Sequence, residues 1–213
     1  MPASPEPEVS DPPSPGSRPG PRPGYGIRHP DLIAVLARLT PAAGQRIMWP
    51  GEIPLQVSAY PTPTALPDEL ITSVRCIVRI DNRVVVCQAP DEQHVWPGGR
   101  REPGETYQQT AQREVHEETG WLIDTGDLQP LGFLHFRYIE PQPSDHPYPH
   151  PDFLQLVYTA PARDHADQHA ATWTDLAGWE QSHHLLSPRE LATVPLTTVQ
   201  RAFLKILPEV PTE

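Results

Sequence analysis

The chain of 213 residues has room for one ordinary globular domain with extensions, and two full-sized domains would be a tight fit. Its formal net charge of -11 argues against a broad nucleic-acid-binding face, because neutralising a phosphate backbone takes a basic patch that this composition hardly supplies. Acidity does not exclude a small phosphorylated substrate, which a carboxylate cluster can reach through a bound cation.

Residues 1–26 are dominated by Pro, Ser and Gly, a composition that cannot bury enough apolar surface to offset ordering, and they are expected to form a disordered tail. This start lacks the charged and apolar regions of a secretory signal, and no apolar run of about 18 residues is present to span a membrane. A cytoplasmic protein with no membrane partner is expected. Residues 27–66 read as an N-terminal extension. Pro30 suits a first helical turn and Leu32, Ile33, Val35, Leu36 and Leu39 recur at helical spacing; Ile47 to Tyr60 is β-prone but interrupted by Pro50 and Pro54, as in an edge strand or an extended arm. Residues 67–208 read as the main folded domain, followed by a short tail over 209–213.

Within that domain, Ser73 to Ile80 and Arg83 to Ala89 flank Asp81-Asn82 as a β-hairpin with both faces apolar, the pattern of a sheet covered on two sides. Counted outward from a two-residue turn, Cys76 lies opposite Cys87. These two cysteines are too few for a disulfide scaffold, and two buried thiols are favoured over a cross-strand disulfide. Further strands are predicted at Leu131–Ile139 and Phe153–Ala160, and a last helix between Thr197 and Leu207, ended before Pro208. Strands mixed with a few helices, without regular βα alternation, point to an α/β (α+β) domain with a mixed sheet between helical layers.

The chemistry concentrates between Gly98 and Trp121. Three glycines and Pro103 make its first part a loop, Thr106 with Gln109 forms a capping box, and Gly120 supplies the stop of a helix over about Tyr107–Thr119. At about 100° per residue, Glu114, Glu117 and Glu118 share one arc of roughly 100° beside the apolar stripe of Tyr107, Ala111 and Val115. Close carboxylates beside an apolar stripe are unfavourable unless protonated or neutralised, and a hard divalent cation resolves the conflict. Arg113 is placed to orient an acid, either Glu117 or Glu105 of the loop.

Gly99, Glu105, Arg113, Glu114, Val115, Glu117, Glu118, Gly120 and Trp121 match every position of the Nudix box in order, with Trp121 where an aliphatic residue is usual. The segment therefore resembles the Nudix hydrolases. The resemblance implies a Nudix-type α/β/α sandwich, Mg²⁺ or Mn²⁺ as cofactor, and hydrolysis of a nucleoside diphosphate linked to another moiety, NDP-X, to a nucleoside monophosphate and phospho-X. It places Glu114, Glu117, Glu118 and the Gly99 carbonyl as metal ligands, with Glu105 and Arg113 in supporting catalytic positions. For the general base, Glu114 is the first choice within the box; Glu140, Asp145, Asp152 and Glu180 are candidates on later segments. The expected partner is thus a small nucleoside diphosphate derivative and no nucleic-acid polymer.

Tyr138, 17 residues after Trp121, resembles a tyrosine downstream of the box in diadenosine polyphosphate hydrolases and is a substrate-contact candidate, although a packed strand aromatic explains it as well. His146, His150, His183 and His184 lack zinc-type spacing and read as loop or surface residues; His94 and His116 flank the box. A binding domain that senses a nucleotide or ADP-ribose is the alternative, against which the intact acids weigh. An isomerase on the same scaffold would need a Cys-Glu pair, and neither cysteine is suitably set. The extension exceeds a minimal core of this type, so it is expected to cover a sheet edge, wall the pocket or exchange between subunits of a homodimer.

Overall fold

The computed structural model describes residues 26–49, 53–88, 94–140, 148–165 and 182–207. Residues 1–25 of the expected disordered tail, the C-terminal tail, Asp145, His146 and Glu180 lie outside the described residues.

Helix α1 (Pro30–Leu36) starts with Pro in its first turn, where the missing N–H costs nothing, and buries Leu32. The extension then supplies two strands, β1 (Ala43–Trp49) and β2 (Ile53–Tyr60), paired from Ala43↔Ala59 to Trp49↔Ile53. Pro54 is accommodated because the ladder from β2 to the next strand begins one residue later, at Leu55↔Tyr138. Strands β3 (Ile71–Ile80) and β4 (Arg83–Gln88) turn over Asp81, whose φ is 52°. The short β5 (His94–Val95) pairs with β4. Helix α2 (Tyr107–Thr119) carries the acids, followed by β6 (Trp121–Leu122), β7 (Gln129–Tyr138), β8 (Asp152–Pro161), β9 (Asp164–His165), β10 (Ser182–Leu186), α3 (Pro188–Leu191) and α4 (Thr198–Leu204).

The main sheet runs β1-β2-β7-β8-β3-β4-β10, with β5 beside β4, and its only parallel pair is β3 with β8 among the described strands. Strands β6 and β9 form a separate pair. One sheet face presents Val74, Cys76, Val78, Val85 and Ala160 to Ala111 and Val115 of α2, and Phe133 and Leu154 to Leu32 of α1. The opposite face presents Leu55, Val57, Ile77, Val84, Val86, Phe136 and Phe153 to Val199, Ala202 and Phe203 of α4. Helices on both faces of a mixed sheet give the α/β/α layering expected from the two-sided hairpin. Among the described residues, no helix is long and apolar enough to cross a membrane.

One expectation is corrected. The β3–β4 ladder holds only Arg79↔Val84 and Ile80↔Arg83. Beyond it the two strands part. Cys87 pairs with Val95 and His183, whereas the Cys76 N–H donates to the Pro97 carbonyl at 2.8 Å and the Val74 N–H to the Gly99 carbonyl at 2.9 Å. The segment from Trp96 to Arg100 thus takes the place beside β3 that β4 leaves, so Cys76 does not face Cys87. Both cysteines are buried thiols that form no disulfide with each other.

Candidate active site

Helix α2 occupies Tyr107–Thr119, the span expected from its caps: Thr106 and Gln109 close a reciprocal capping box and Gly120 adopts the left-handed conformation at φ 70°. With Ala111 and Val115 wholly buried against β3 and β4, the helix can rotate little, and its acids are fixed at the edge of that interface.

Arg113 is the organising side chain. Its Nε donates to Glu105 Oε1 at 2.7 Å and its Nη2 to Glu105 Oε2 at 3.1 Å, a two-point grip on the loop acid. Its Nη1 donates to Glu114 Oε1 and to Glu117 Oε2, each at 2.9 Å, and Nη2 also reaches the Arg100 carbonyl at 3.0 Å. The sequence left Glu105 and Glu117 as alternatives for this arginine; it holds both, and Glu114 as well. Glu118 is held separately, accepting from the Gly98 N–H at 2.7 Å.

The glycines of the loop are required by contact. A Cβ on Gly98, whose φ is 144°, would stand 2.2 Å from the Val74 carbonyl oxygen. One on Gly99 would stand 2.4 Å from Glu114 Oε1. The loop backbone is therefore pressed between β3 and the helix acids, which is how a segment remote from Glu118 in sequence comes to cap it. The Gly99 carbonyl accepts from Val74 N–H and keeps a second lone pair.

Titration of these groups follows from their neighbours. The hydrogen bond from Arg113 holds the Glu105 carboxyl down at about 2 against burial, aided by the Glu102 N–H and the Thr110 hydroxyl. For Glu114, burial outweighs the opposing charge of Arg113 and raises the carboxyl above its ordinary range. The Arg113 guanidinium is raised, through Glu105 first. Thr110 was not singled out from the sequence, since a buried threonine one turn into a helix looks like packing; its Oγ1 donates to Glu105 Oε2 at 2.9 Å.

A NUDIX domain model matches residues 70–207. The chain belongs to the Nudix family. Nudix hydrolases act on pyrophosphate bonds and generally need divalent metals. Among solved structures, the chain is similar to the Bacillus subtilis pyrophosphohydrolase BsRppH, 20% identical over 76% of this chain and 94% of that one, with a TM-score of 0.52. It is also similar to a Nudix hydrolase from Nitrosomonas europaea (17% identical, 64% and 87% covered, TM-score 0.46). A MutT protein from Bacillus halodurans is 18% identical with 62% and 78% covered and a TM-score of 0.45. At 20% identity the likeness to the Bacillus subtilis protein concerns the fold. The sequence search among curated proteins gives no match.

Tyr138, on β7, is 5% exposed and packs against Phe153 and His150 on the α4 side of the sheet. Asp152 is buried on the α1 side, its carboxylate taken by Arg28 (2.9 and 3.1 Å) and His135 (2.7 Å). Glu140 lies exposed just beyond β7. His183 and His184 belong to β10, with His184 Nε2 3.2 Å from Gln88 Oε1. The partners of Asp152 are Arg28 and His135, outside the Arg113 cluster.

Proposed function

We propose that the protein hydrolyses a nucleoside diphosphate linked to another moiety, with Mg²⁺ or Mn²⁺ as cofactor, releasing a nucleoside monophosphate and phospho-X. The observation that carries this reading is the gathering of Glu105, Glu114 and Glu117 on one guanidinium, with Glu118 held beside them by Gly98.

The donor set suits a hard cation. Arg113 offsets one of these negative charges, the donors are all oxygens, and side-chain-free Gly99 leaves the Glu114 carboxylate unobstructed. Among the described residues no three acids, histidines or cysteines converge as a ready-made cage. Mg²⁺ does not need one, because it keeps waters and shares substrate phosphates when few carboxylates hold it. Glu114, Glu117 and Glu118 would be the protein ligands, with the Gly99 carbonyl available beside them. When bound, the cation supplies charge neutralisation of the diphosphate and a more acidic water.

The chain's own residues then divide the work. Arg113 fixes Glu114 and Glu117 relative to the loop, so that the acids meet the diphosphate already oriented. Glu114 Oε2, not bonded to Arg113, would accept the proton of the attacking water. The water oxygen forms the new bond to phosphorus, the bridging P–O bond breaks, and the electron pair leaves with the departing phosphate. Glu105 acts through Arg113 as a positioning residue.

The test is a panel of nucleotide sugars, ADP-ribose, dinucleoside polyphosphates and nucleoside triphosphates with Mg²⁺ and with Mn²⁺, with both products identified. Metal-dependent release of a monophosphate is expected, abolished in Glu117→Gln and Glu118→Gln while the fold survives. Full activity in both variants, or no hydrolysis of any compound, overturns the reading; the latter returns the domain to nucleotide sensing.

A further inference from the structure

The sheet face beneath α4 is apolar over β2, β7 and much of β3 and β8, yet it turns polar at one end. By strand alternation Ser73 and Arg75 share the side of Ile77, and Gln155 shares the side of Phe153 and Val157, all three facing the apolar cluster under α4. Gln155 Nε2 donates to Ser73 Oγ at 2.9 Å, and Arg75 Nη1 to the Trp96 carbonyl at 2.9 Å. Ser73 is bridged antiparallel to Arg100, which brings the Arg100 side chain to the same side. These polar residues are half-buried or, for Arg100, exposed. The Trp96 indole N–H in the same cluster is buried and has no acceptor among the described residues.

An aromatic column ends at this place. Phe136 stacks on Phe153 at 4.7 Å and Phe153 on Tyr148 at 4.9 Å. The Arg100 guanidinium lies over the Tyr148 ring, 4.9 Å from its centroid, and its Nε donates to the Tyr148 hydroxyl at 3.0 Å. The same residue closes on the acid cluster from its other side, since the Arg100 carbonyl accepts from Arg113 Nη2 at 3.0 Å. A planar cation capping a stack of rings, next to an amide whose Oε1 has no partner among the described residues, is a surface for a flat heteroaromatic group with donors and acceptors on its rim.

We infer that this end of the sheet is the nucleobase subsite, the base lying against Arg100 at the head of the Tyr148–Phe153 column and its edge read by Gln155. The inference rests on the reading of the protein as a nucleoside diphosphate hydrolase and adds which residues select the nucleoside. Arg100 links the two halves of the site: its side chain meets the base while its carbonyl meets the arginine that orders the acids.

The test is isothermal titration of the metal-free full chain with AMP, GMP, CMP and UMP, each against ribose 5-phosphate, which keeps the sugar and phosphate and lacks the base. At least one nucleotide is expected to bind roughly tenfold more tightly than ribose 5-phosphate, the scale of one base stacked on a side chain. Arg100→Ala should bring that ratio close to one, and Gln155→Leu should level the four bases. Arg100 is exposed, so its variant folds; should Gln155→Leu fail to fold, Arg100→Ala decides alone. Equal binding of ribose 5-phosphate and every nucleotide, or a base preference that survives Arg100→Ala, overturns the subsite. Base-selective binding without hydrolysis of any compound in the panel would sink the hydrolase reading and leave the subsite standing; hydrolysis with indifferent binding would do the reverse.

Discussion

Arg113 Nε donates to Glu105 Oε1 at 2.7 Å, tying the loop before the helix to the helix itself. The pair is shielded, with side-chain exposures of 22% and 18%, and both Glu105 oxygens are used. Arg113→Ala leaves Glu105 and Glu114 without their shared donor. Unfolding free energy should fall by about 2 kcal/mol, the scale of lost hydrogen bonds to charged groups. Hydrolysis should fall further than stability, because Glu114 and Glu117 lose their orientation together. Urea titration alongside kcat and KM checks both.

The same pair has a pH signature. Folding lowers the Glu105 carboxyl from an ordinary 4.5 to about 2, so its contribution is fully present above about 4.5 and is lost as pH falls toward 2. Glu105→Gln should therefore flatten the acid limb of stability in that window and leave the neutral-to-alkaline limb unchanged. An acid limb as steep as that of the parent protein would refute the assignment.

The two loop glycines should fail differently. In Gly98→Ala the new Cβ meets backbone, the Val74 oxygen at 2.2 Å and Arg75 Cα at 2.8 Å, and φ is 144°. A loss of about 2 kcal/mol or more is expected from overpacking and backbone strain together. In Gly99→Ala the Cβ meets the end of the Glu114 side chain, which can move. Thermal melts should separate Gly98→Ala from the parent protein, whereas activity assays should show the larger specific loss, at near-parent stability, in Gly99→Ala.

Asp152 serves the fold. Its carboxylate is 1% exposed and tied to Arg28 and His135, which join the N-terminal segment to β7 and β8. Burial works against its charge, but the hydrogen bonds of His135 and Arg28 prevail and leave its pKa lowered. Asp152→Asn should cost about 3 kcal/mol, because it removes one partner of a buried ion pair. Its stabilisation is present above the ordinary carboxylate range and disappears as pH falls below it, so the deficit of the variant should shrink in acid. Chemical denaturation at several pH values measures this.

Cys76 and Cys87 should behave as packing groups. Burial pushes the Cys76 thiol up to about 12, and the main-chain partners of the two residues lie on different segments. Neither thiol should react with an exposed-thiol reagent in the native protein, and both should react in denaturant. A thermal midpoint that shifts with reductant would contradict this.

By itself, the sequence determined those features whose causes are local. The α2 boundaries follow from Thr106, Gln109 and Gly120, because capping is settled within one turn. The shared face of Glu114, Glu117 and Glu118 follows from helical pitch, and the two-sided burial of β3 and β4 from alternation of apolar residues. The pairing beyond the Asp81 turn was not legible, because a hairpin register says nothing about when two strands part; a competing segment, Trp96 to Arg100, took the inner half of β3. Nor could spacing show that Glu118 is capped by Gly98, that Arg113 serves Glu105, Glu114 and Glu117 together, or that Asp152 is sealed by Arg28. The Gly98–Glu118 and Arg28–Asp152 contacts join residues distant in sequence, which only the packing of α2 and the N-terminal segment on one sheet brings within reach, and the Arg113 contacts, though local, share one guanidinium only because the loop is pressed back against the helix.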